Sequence, residues 1–127
     1  MNLRLSCSLF LIYMCIAKQE TKDYDLPMHK VKITVVKITQ YEDLMKKYEN
    51  PIKDACFMSL GDTFISECGE MPPSFCKSAW DTVKEFVAAL ANGGGNFYGN
   101  WMKDPKSAMI SCNDGFRPVS FYIEVIK

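Results

Sequence analysis

The chain has 127 residues, and its 15 lysine and arginine residues are balanced by 15 aspartate and glutamate residues. That length suits one domain and not two. A net charge of zero does not favour a nucleic-acid or anionic membrane partner, because both attract proteins with a basic excess. From charge alone we therefore expect no nucleic-acid partner.

Residues 1–27 differ in character from the rest of the chain. A basic start is followed by the uncharged, mostly apolar run Leu5–Ala17, which is too short to span a bilayer comfortably. This pattern resembles a signal peptide with cleavage at Ala17. The alternative is that residues 1–27 are a mis-assigned upstream start and that the protein begins at Met28. We favour the second reading, a cytoplasmic domain of residues 28–127, and keep export as the alternative.

The body begins with a strand and a short helix. Val31–Val35 alternates apolar and polar residues, which is typical of a half-buried strand. The alternation changes phase at Val36, which indicates either a β-bulge or a strand covered on both faces. Gln40–Asn50 follows as a short helix, and Pro51 ends it.

The next two elements are a short strand and the longest predicted helix. Asp62–Ile65 is a strand candidate. Ser78–Ala91 has apolar residues at helical spacing, with Ser78 as the predicted N-cap and Asp81 in the matching capping-box position. Asn92–Gly95 ends the helix, because glycine adopts the left-handed conformation that closes helices.

The C-terminal part predicts a β-hairpin around a four-residue loop, Asn113–Phe116. Matching the apolar faces of its strands gives a register. The predicted pairs are Cys112 with Arg117, Ile110 with Val119, and Ala108 with Phe121. The whole chain is therefore predicted to be an α+β domain in which one main helix, Ser78–Ala91, backs a small antiparallel sheet.

Four cysteines lie in the body of the chain, at Cys56, Cys68, Cys76 and Cys112. The absence of a Cys-x-x-Cys pair argues against a zinc knuckle and a thioredoxin-type redox pair. The cysteines can be small buried apolar residues. They can also form a metal or reactive-thiol cluster, or disulfides if the chain is exported.

The densest group of reactive residue types is Cys112, Asp114 and Arg117. A guanidinium beside Cys112 would favour its thiolate, and Arg117 could hold an anion. The structural alternative is that Asp114 and Gly115 only make the turn and that Arg117 pairs with Asp114 across it. We favour the structural alternative for Asp114 and Arg117. The aromatic residues Trp80 and Trp101 could line a pocket, although such residues more often belong to the core.

Several short motifs occur along the body, each of them once. They are Lys32-Ile33-Thr34-Val35, Cys56, Gly61-Asp62-x-Phe64, Phe75-Cys76-x-x-Ala79-Trp80, Trp101-Met102 and Cys112-x-Asp114-Gly115-x-Arg117-Pro118-Val119. With these motifs, Met28 to Lys127 resembles a family of small prokaryotic proteins of unassigned function, found widely in anaerobic bacteria and archaea.

The resemblance implies a start near Met28, and it implies that Cys56, Cys76 and Cys112, but not Cys68, are family features. Many members carry a cysteine pair where this chain has Ser111-Cys112. That departure weakens the expectation of a four-thiolate metal site here, although three thiolates plus water or another ligand could still form a site.

The favoured function is a ligand or metal site in which Cys56, Cys76 and Cys112 converge beside Arg117. A metal bound by thiolates would be the cofactor, and a small ligand the partner.

Two alternatives remain open. One is a small enzyme with an aromatic-lined pocket near Trp80 and Trp101 that uses Cys112 or Asp114 as its reactive group. The other is an exported interaction module stapled by disulfides.

Overall fold

A computed structural model describes residues 28–53 and 55–127, which form an α+β fold of four strands and two helices. The elements are β1 Val31–Ile38, α1 Glu42–Tyr48, β2 Thr63–Ser66, α2 Lys77–Ala91, β3 Ser107–Ser111 and β4 Val119–Val125. The predicted fold class and order of elements are confirmed. The leader, residues 1–27, lies outside the described residues, so its two readings stay predictions.

The four strands form one antiparallel sheet in the order β2-β1-β4-β3. One face of this sheet carries buried apolar side chains from β1, β4 and β3, and α2 packs against it. Side chains on the other face, such as Lys32 and Tyr122, stay partly exposed. The alternation of apolar and polar residues that predicted the strands is therefore the alternation between core and solvent.

Strand β1 contains the bulge that its sequence indicated. Val35 pairs with Phe121 and Lys37 pairs with Ser120, so Val36 is the extra residue between them. Val36 is 41% exposed, while Ile38 returns to the core side and packs against the buried cluster. Of the two explanations for the phase change, the bulge is correct.

Helix α2 is the helix that packs buried side chains into the core. Its buried residues are Ala79, Val83, Val87, Leu90 and Ala91. The predicted N-cap was wrong, because the helix begins at Lys77 and Cys76 occupies the cap with an extended backbone of φ −70° and ψ 122°. Ser78 therefore lies inside the first turn. Asp81, its predicted capping partner, instead forms a surface ion pair of 3.6 Å with Lys84.

The C-terminal hairpin forms, but in a different register from the predicted one. The observed pairs are Ala108 with Ile123 and Ile110 with Phe121, and the N–H of Cys112 donates to the carbonyl of Val119 at 3.0 Å. The predicted pair of Cys112 with Arg117 was therefore wrong by two residues. A shift of two keeps every side chain on its face, so apolar alternation cannot distinguish the two registers.

The turn decides the register. One carboxylate oxygen of Asp114, Oδ1, accepts hydrogen bonds from the backbone N–H of Phe116 at 2.8 Å and of Arg117 at 3.2 Å. These bonds fold residues 113–118 into a loop longer than the predicted four residues, and they leave Arg117 and Pro118 outside the strand. Pro118, which has no N–H to donate, is thereby kept out of the ladder.

Helix α1 lies within the predicted range Gln40–Asn50, and none of its side chains is fully buried. Its acidic first turn and basic last turn, Glu42-Asp43 and Lys46-Lys47, match the helix dipole. The backbone just before it is tied to the hairpin turn, because the N–H of Tyr41 donates to the carbonyl of Phe116 at 2.9 Å. Within residues 28–53 and 55–127, no helix is long and apolar enough to cross a membrane.

Candidate functional site

A small pocket, which we name the thiol pocket, lies where the start of α2, the hairpin turn and the segment before β2 meet. Its volume is about 60 Å³. The lining residues are Ala55, Cys56, Met58, Cys76, Ser78, Ala79, Cys112, Asn113, Asp114, Arg117, Val119 and Phe121. The predicted cysteines Cys56, Cys76 and Cys112, together with Asp114 and Arg117, thus line one pocket, although they come from separate parts of the chain.

Cys76 is placed by the residue before it and by the helix after it. Phe75 is buried, and its ring packs against Phe121 at 5.4 Å between centroids. This anchor fixes the chain as it enters α2, and the carbonyl of Cys76 accepts the helical hydrogen bond from the N–H of Trp80 at 2.9 Å. The Cys76 thiol is therefore held at the N-terminus of a 15-residue helix, where partial positive charge favours an anion.

The surroundings of Cys76 favour its thiolate. Partial burial alone would raise the pKa of Cys76, but hydrogen bonds from the Ser78 hydroxyl and from the N–H groups of Ala79 and Ser78 outweigh it, so the pKa is lowered. The Cys76 sulfur and the Ser78 oxygen are 3.3 Å apart. Hydrogen bonds to the charged form of a group lower the pKa of an acid, and a thiolate is far more nucleophilic than a thiol.

Cys112 lies at the end of β3 and is held more rigidly. Its sulfur accepts a hydrogen bond from the N–H of Val119 at 3.3 Å, and its own N–H completes the last rung of the hairpin. The side chain is partly buried and packs against the core.

Cys56 is different, because it is exposed and lies in the irregular segment between α1 and β2. It lines the same pocket as Arg117. Cys56, Cys76 and Cys112 are free thiols. Cys68, in the loop after β2, is by contrast disulfide-bonded.

Arg117 binds a residue that the sequence did not indicate. Its guanidinium donates to both carboxylate oxygens of Glu49, at 2.9 Å from Nη1 and 2.5 Å from Nη2. Only 16% of the Arg117 side chain and 14% of the Glu49 side chain are exposed. The hydrogen bonds to Glu49, and then the charges of Glu49 and Asp114, raise the pKa of Arg117 above its usual value. Such two-pronged pairs are geometrically specific and strong when shielded from water.

Asp114 is mainly a turn residue. Its contact with Arg117, between Oδ2 and Nη1, is 3.9 Å, while its other oxygen holds the backbone of the turn. The structural reading of Arg117 as an ion-pair residue therefore fits, but the principal partner is Glu49 and not Asp114.

The described residues contain no group of three or more histidine, cysteine, aspartate or glutamate side chains placed to hold a metal ion. Sharing a pocket is a weaker condition than metal coordination, which needs sulfur atoms about 2.3 Å from one ion. A metal bound by Cys56, Cys76 and Cys112 thus has no support from this arrangement of the thiols.

Trp80 and Trp101 belong to two different aromatic groups. Trp80 packs edge-on against Phe75, with ring centroids 6.2 Å apart, and Trp101 packs edge-on against Tyr98 at 5.1 Å. Tyr98 is 77% exposed and Trp101 42% exposed. The loop that carries them covers the core only through Phe97, which packs against Phe86. Neither tryptophan lines the thiol pocket.

Two residues that matter to the pocket escaped prediction. Ser78 was read as a helix cap, and its hydroxyl instead contacts the Cys76 sulfur. Glu49 follows the exposed α1 helix and gave no sequence signal, since its partner lies 68 residues away.

Searches of protein-family models, of curated proteins and of solved structures found no match to this chain. The family resemblance seen in the motifs therefore stays a prediction.

Proposed function

We propose that the protein binds a small electrophilic ligand in the thiol pocket, through the sulfur of Cys76. The observation that carries this proposal is the position of Cys76 within a pocket that two further free thiols also line, with its sulfur 3.3 Å from the Ser78 hydroxyl. A thiol stabilised as thiolate at a helix N-terminus, and partly accessible, is the usual environment of a reactive cysteine.

The size of the pocket limits the ligand. A volume of about 60 Å³ exceeds the roughly 10–15 Å³ that one water molecule needs. It is far below the roughly 300–1,000 Å³ of pockets that enclose drug-sized ligands. The ligand is therefore a molecule of a few heavy atoms, or the reactive end of a larger one that reaches the pocket from solvent.

The helix N-terminus at the pocket favours a polar ligand that gains negative charge when it reacts with the Cys76 sulfur. The N-terminus of α2 supplies positive potential beside the Cys76 sulfur, whereas the charge of Arg117 is largely offset by its ion pair with Glu49. Asp114 adds a carboxylate to the lining, 3.9 Å from the Arg117 guanidinium.

Cysteine alkylation tests this proposal. The reduced protein is treated with iodoacetamide at a series of pH values, and each cysteine-containing peptide is quantified by mass spectrometry. Cys76 is expected to react in the native state at pH values below the ordinary thiol pKa of about 8.5. If Cys76 reacts no faster than it does in the urea-unfolded protein at the same pH, the proposal is wrong.

Ser78→Ala is the matched test of the cause. It removes the hydroxyl that contacts the Cys76 sulfur, so the pH profile of Cys76 alkylation should move to higher pH. Ser59→Ala is the control, because Ser59 is exposed and its contact to Asp62 uses the backbone N–H. An equal displacement in both variants would show that the Ser78 hydroxyl is not responsible.

A further inference from the structure

We infer that the electrophile is a small hydroperoxide, that Cys76 is the sulfur it oxidises, and that Cys56 then closes a disulfide with Cys76. This inference rests on the proposed function and adds the substrate class and the second reacting residue. It makes the pocket a two-cysteine redox site.

The pocket fits peroxide chemistry better than it fits coordination of a metal ion. Hydrogen peroxide has two heavy atoms, which a volume of about 60 Å³ accommodates. Oxidation needs one thiolate at a time, so it does not require three sulfurs to converge on one point, an arrangement that the described residues lack. Accessible thiolates next to a second cysteine are the usual sites of reversible peroxide oxidation.

Cys56 suits the second step better than Cys112 does. Cys112 is fixed by its own backbone hydrogen bond to Val119 and by the N–H of Val119 on its sulfur. Cys56 lines the same pocket, but it is exposed and belongs to no helix or strand. A disulfide requires its two Cα atoms to approach to about 4.4–6.8 Å, and a thiol outside the sheet can make that approach without breaking a ladder.

The chemistry balances in two steps. The Cys76 thiolate attacks one peroxide oxygen, an S–O bond forms, the O–O bond breaks, and the departing alkoxide or hydroxide takes a proton from water. The Cys56 thiolate then attacks the sulfenic sulfur of Cys76, an S–S bond forms, and the S–O bond breaks to release hydroxide, which is protonated to water. In total, two thiols lose two electrons, and the hydroperoxide gains them to give an alcohol, or water, plus one further water. An external dithiol reverses the oxidation by thiol–disulfide exchange.

The test treats the reduced full-length protein with one equivalent of hydrogen peroxide, with and without a dimedone-type trap for sulfenic acid. Peptides are then mapped without reduction. We expect a Cys76–Cys56 disulfide without the trap and a Cys76 adduct with it. Cys56→Ser should lose the disulfide and accumulate the adduct, whereas the control Cys112→Ser should keep the Cys76–Cys56 disulfide. Circular dichroism confirms that each variant is folded.

Several results would overturn the inference. They are a trapped adduct on another cysteine, a Cys76–Cys112 disulfide, or oxidation of Cys76 no faster than that of free cysteine. Cumene hydroperoxide should react more slowly than hydrogen peroxide because of the pocket size, and equal rates would contradict the pocket as the reaction site. The alkylation assay separates the two proposals: fast alkylation of Cys76 with slow peroxide oxidation removes only this inference, and slow reaction with both reagents removes both.

Discussion

Phe121 is the residue at which the core and the pocket meet, and its replacement by alanine should be severely destabilising. Its side chain is fully buried, its ring packs against Phe75 at 5.4 Å, and it lines the thiol pocket. Phenylalanine-to-alanine changes in cores cost about 3–5 kcal/mol, because burial is lost and a cavity remains. A domain of about 100 residues is stable by only about 5–15 kcal/mol in total.

Urea unfolding followed by circular dichroism measures the effect. The urea concentration at the midpoint should fall, while the dependence of the unfolding free energy on urea concentration stays unchanged. The matched control is Tyr122→Ala, the next residue on β4, whose side chain lies on the open face of the sheet and is partly exposed. We expect it to cost about 1 kcal/mol or less, as for cross-strand surface pairs. A cost below about 1 kcal/mol for Phe121→Ala, or equal costs for the two variants, would refute this account of the core.

Further substitutions test three other features of the structure: the end of α2, the shielded ion pair of Glu49 and the Cys76 thiolate. Gly93→Ala should destabilise by about 1–2 kcal/mol, because Gly93 ends α2 with φ +91°. Gly115→Ala should change the free energy of unfolding little, because a Cβ there meets open space. Urea titration compares the two variants. Equal losses of stability would contradict the backbone conformations assigned to the two glycines. Glu49→Gln should lower the thermal unfolding midpoint more than Glu67→Gln does, because Glu49 is shielded from water while Glu67 is 66% exposed in its ion pair with Lys30. A smaller effect at Glu49 would count against a structural role for its pair with Arg117. Because folding lowers the pKa of Cys76, its thiolate should stabilise the native state above the unfolded thiol pKa of about 8.5. That contribution should be lost as the pH falls through the folded pKa, so a stability difference from Cys76→Ala that does not depend on pH would refute it.

Most of the fold followed from periodicity in the sequence. The phase change at Val36 indicated an irregularity in β1, and the apolar spacing in 78–91 indicated the helix that covers the sheet. Both signals are local, since each depends on whether a side chain faces the core or solvent. The predicted N-cap of α2 was wrong because Ser78 is a good cap by residue type, whereas the chain enters the helix at Cys76.

The hairpin register failed for an identifiable physical reason. The predicted pairing continued the apolar alternation through Arg117 and so placed a guanidinium at the edge of the core. Removing a charge from water without a partner costs several kcal/mol. In the structure the longer turn takes Arg117 out of the strand, and the guanidinium pairs with Glu49. The charge of Arg117 therefore favours the longer turn, a distinction that apolar alternation cannot make.

The candidate site, like the hairpin register, depends on contacts between residues that are far apart in the sequence. Cys56, Cys76 and Cys112 come from three separate segments, and the sequence motifs singled them out without showing how they would meet. The structure brings them to one pocket through two connections. Phe75 and Phe121 join the start of α2 to β4, and Glu49 with Arg117 joins the end of α1 to the hairpin turn.

The pair of Glu49 with Arg117 therefore has a more direct bearing on Cys56 than on Cys76. Cys56 follows Glu49 by seven residues in a segment without helix or strand, so that ion pair is a nearby attachment of this segment to the turn. Cys76 is attached independently, by the buried ring of Phe75 and the first turn of α2. Breaking the ion pair should consequently release Cys56 from the pocket while it leaves the hydrogen bonds to the Cys76 sulfur intact. On the redox mechanism, Glu49→Gln should slow disulfide closure and preserve sulfenic acid formation, a division that general unfolding of the site would not produce.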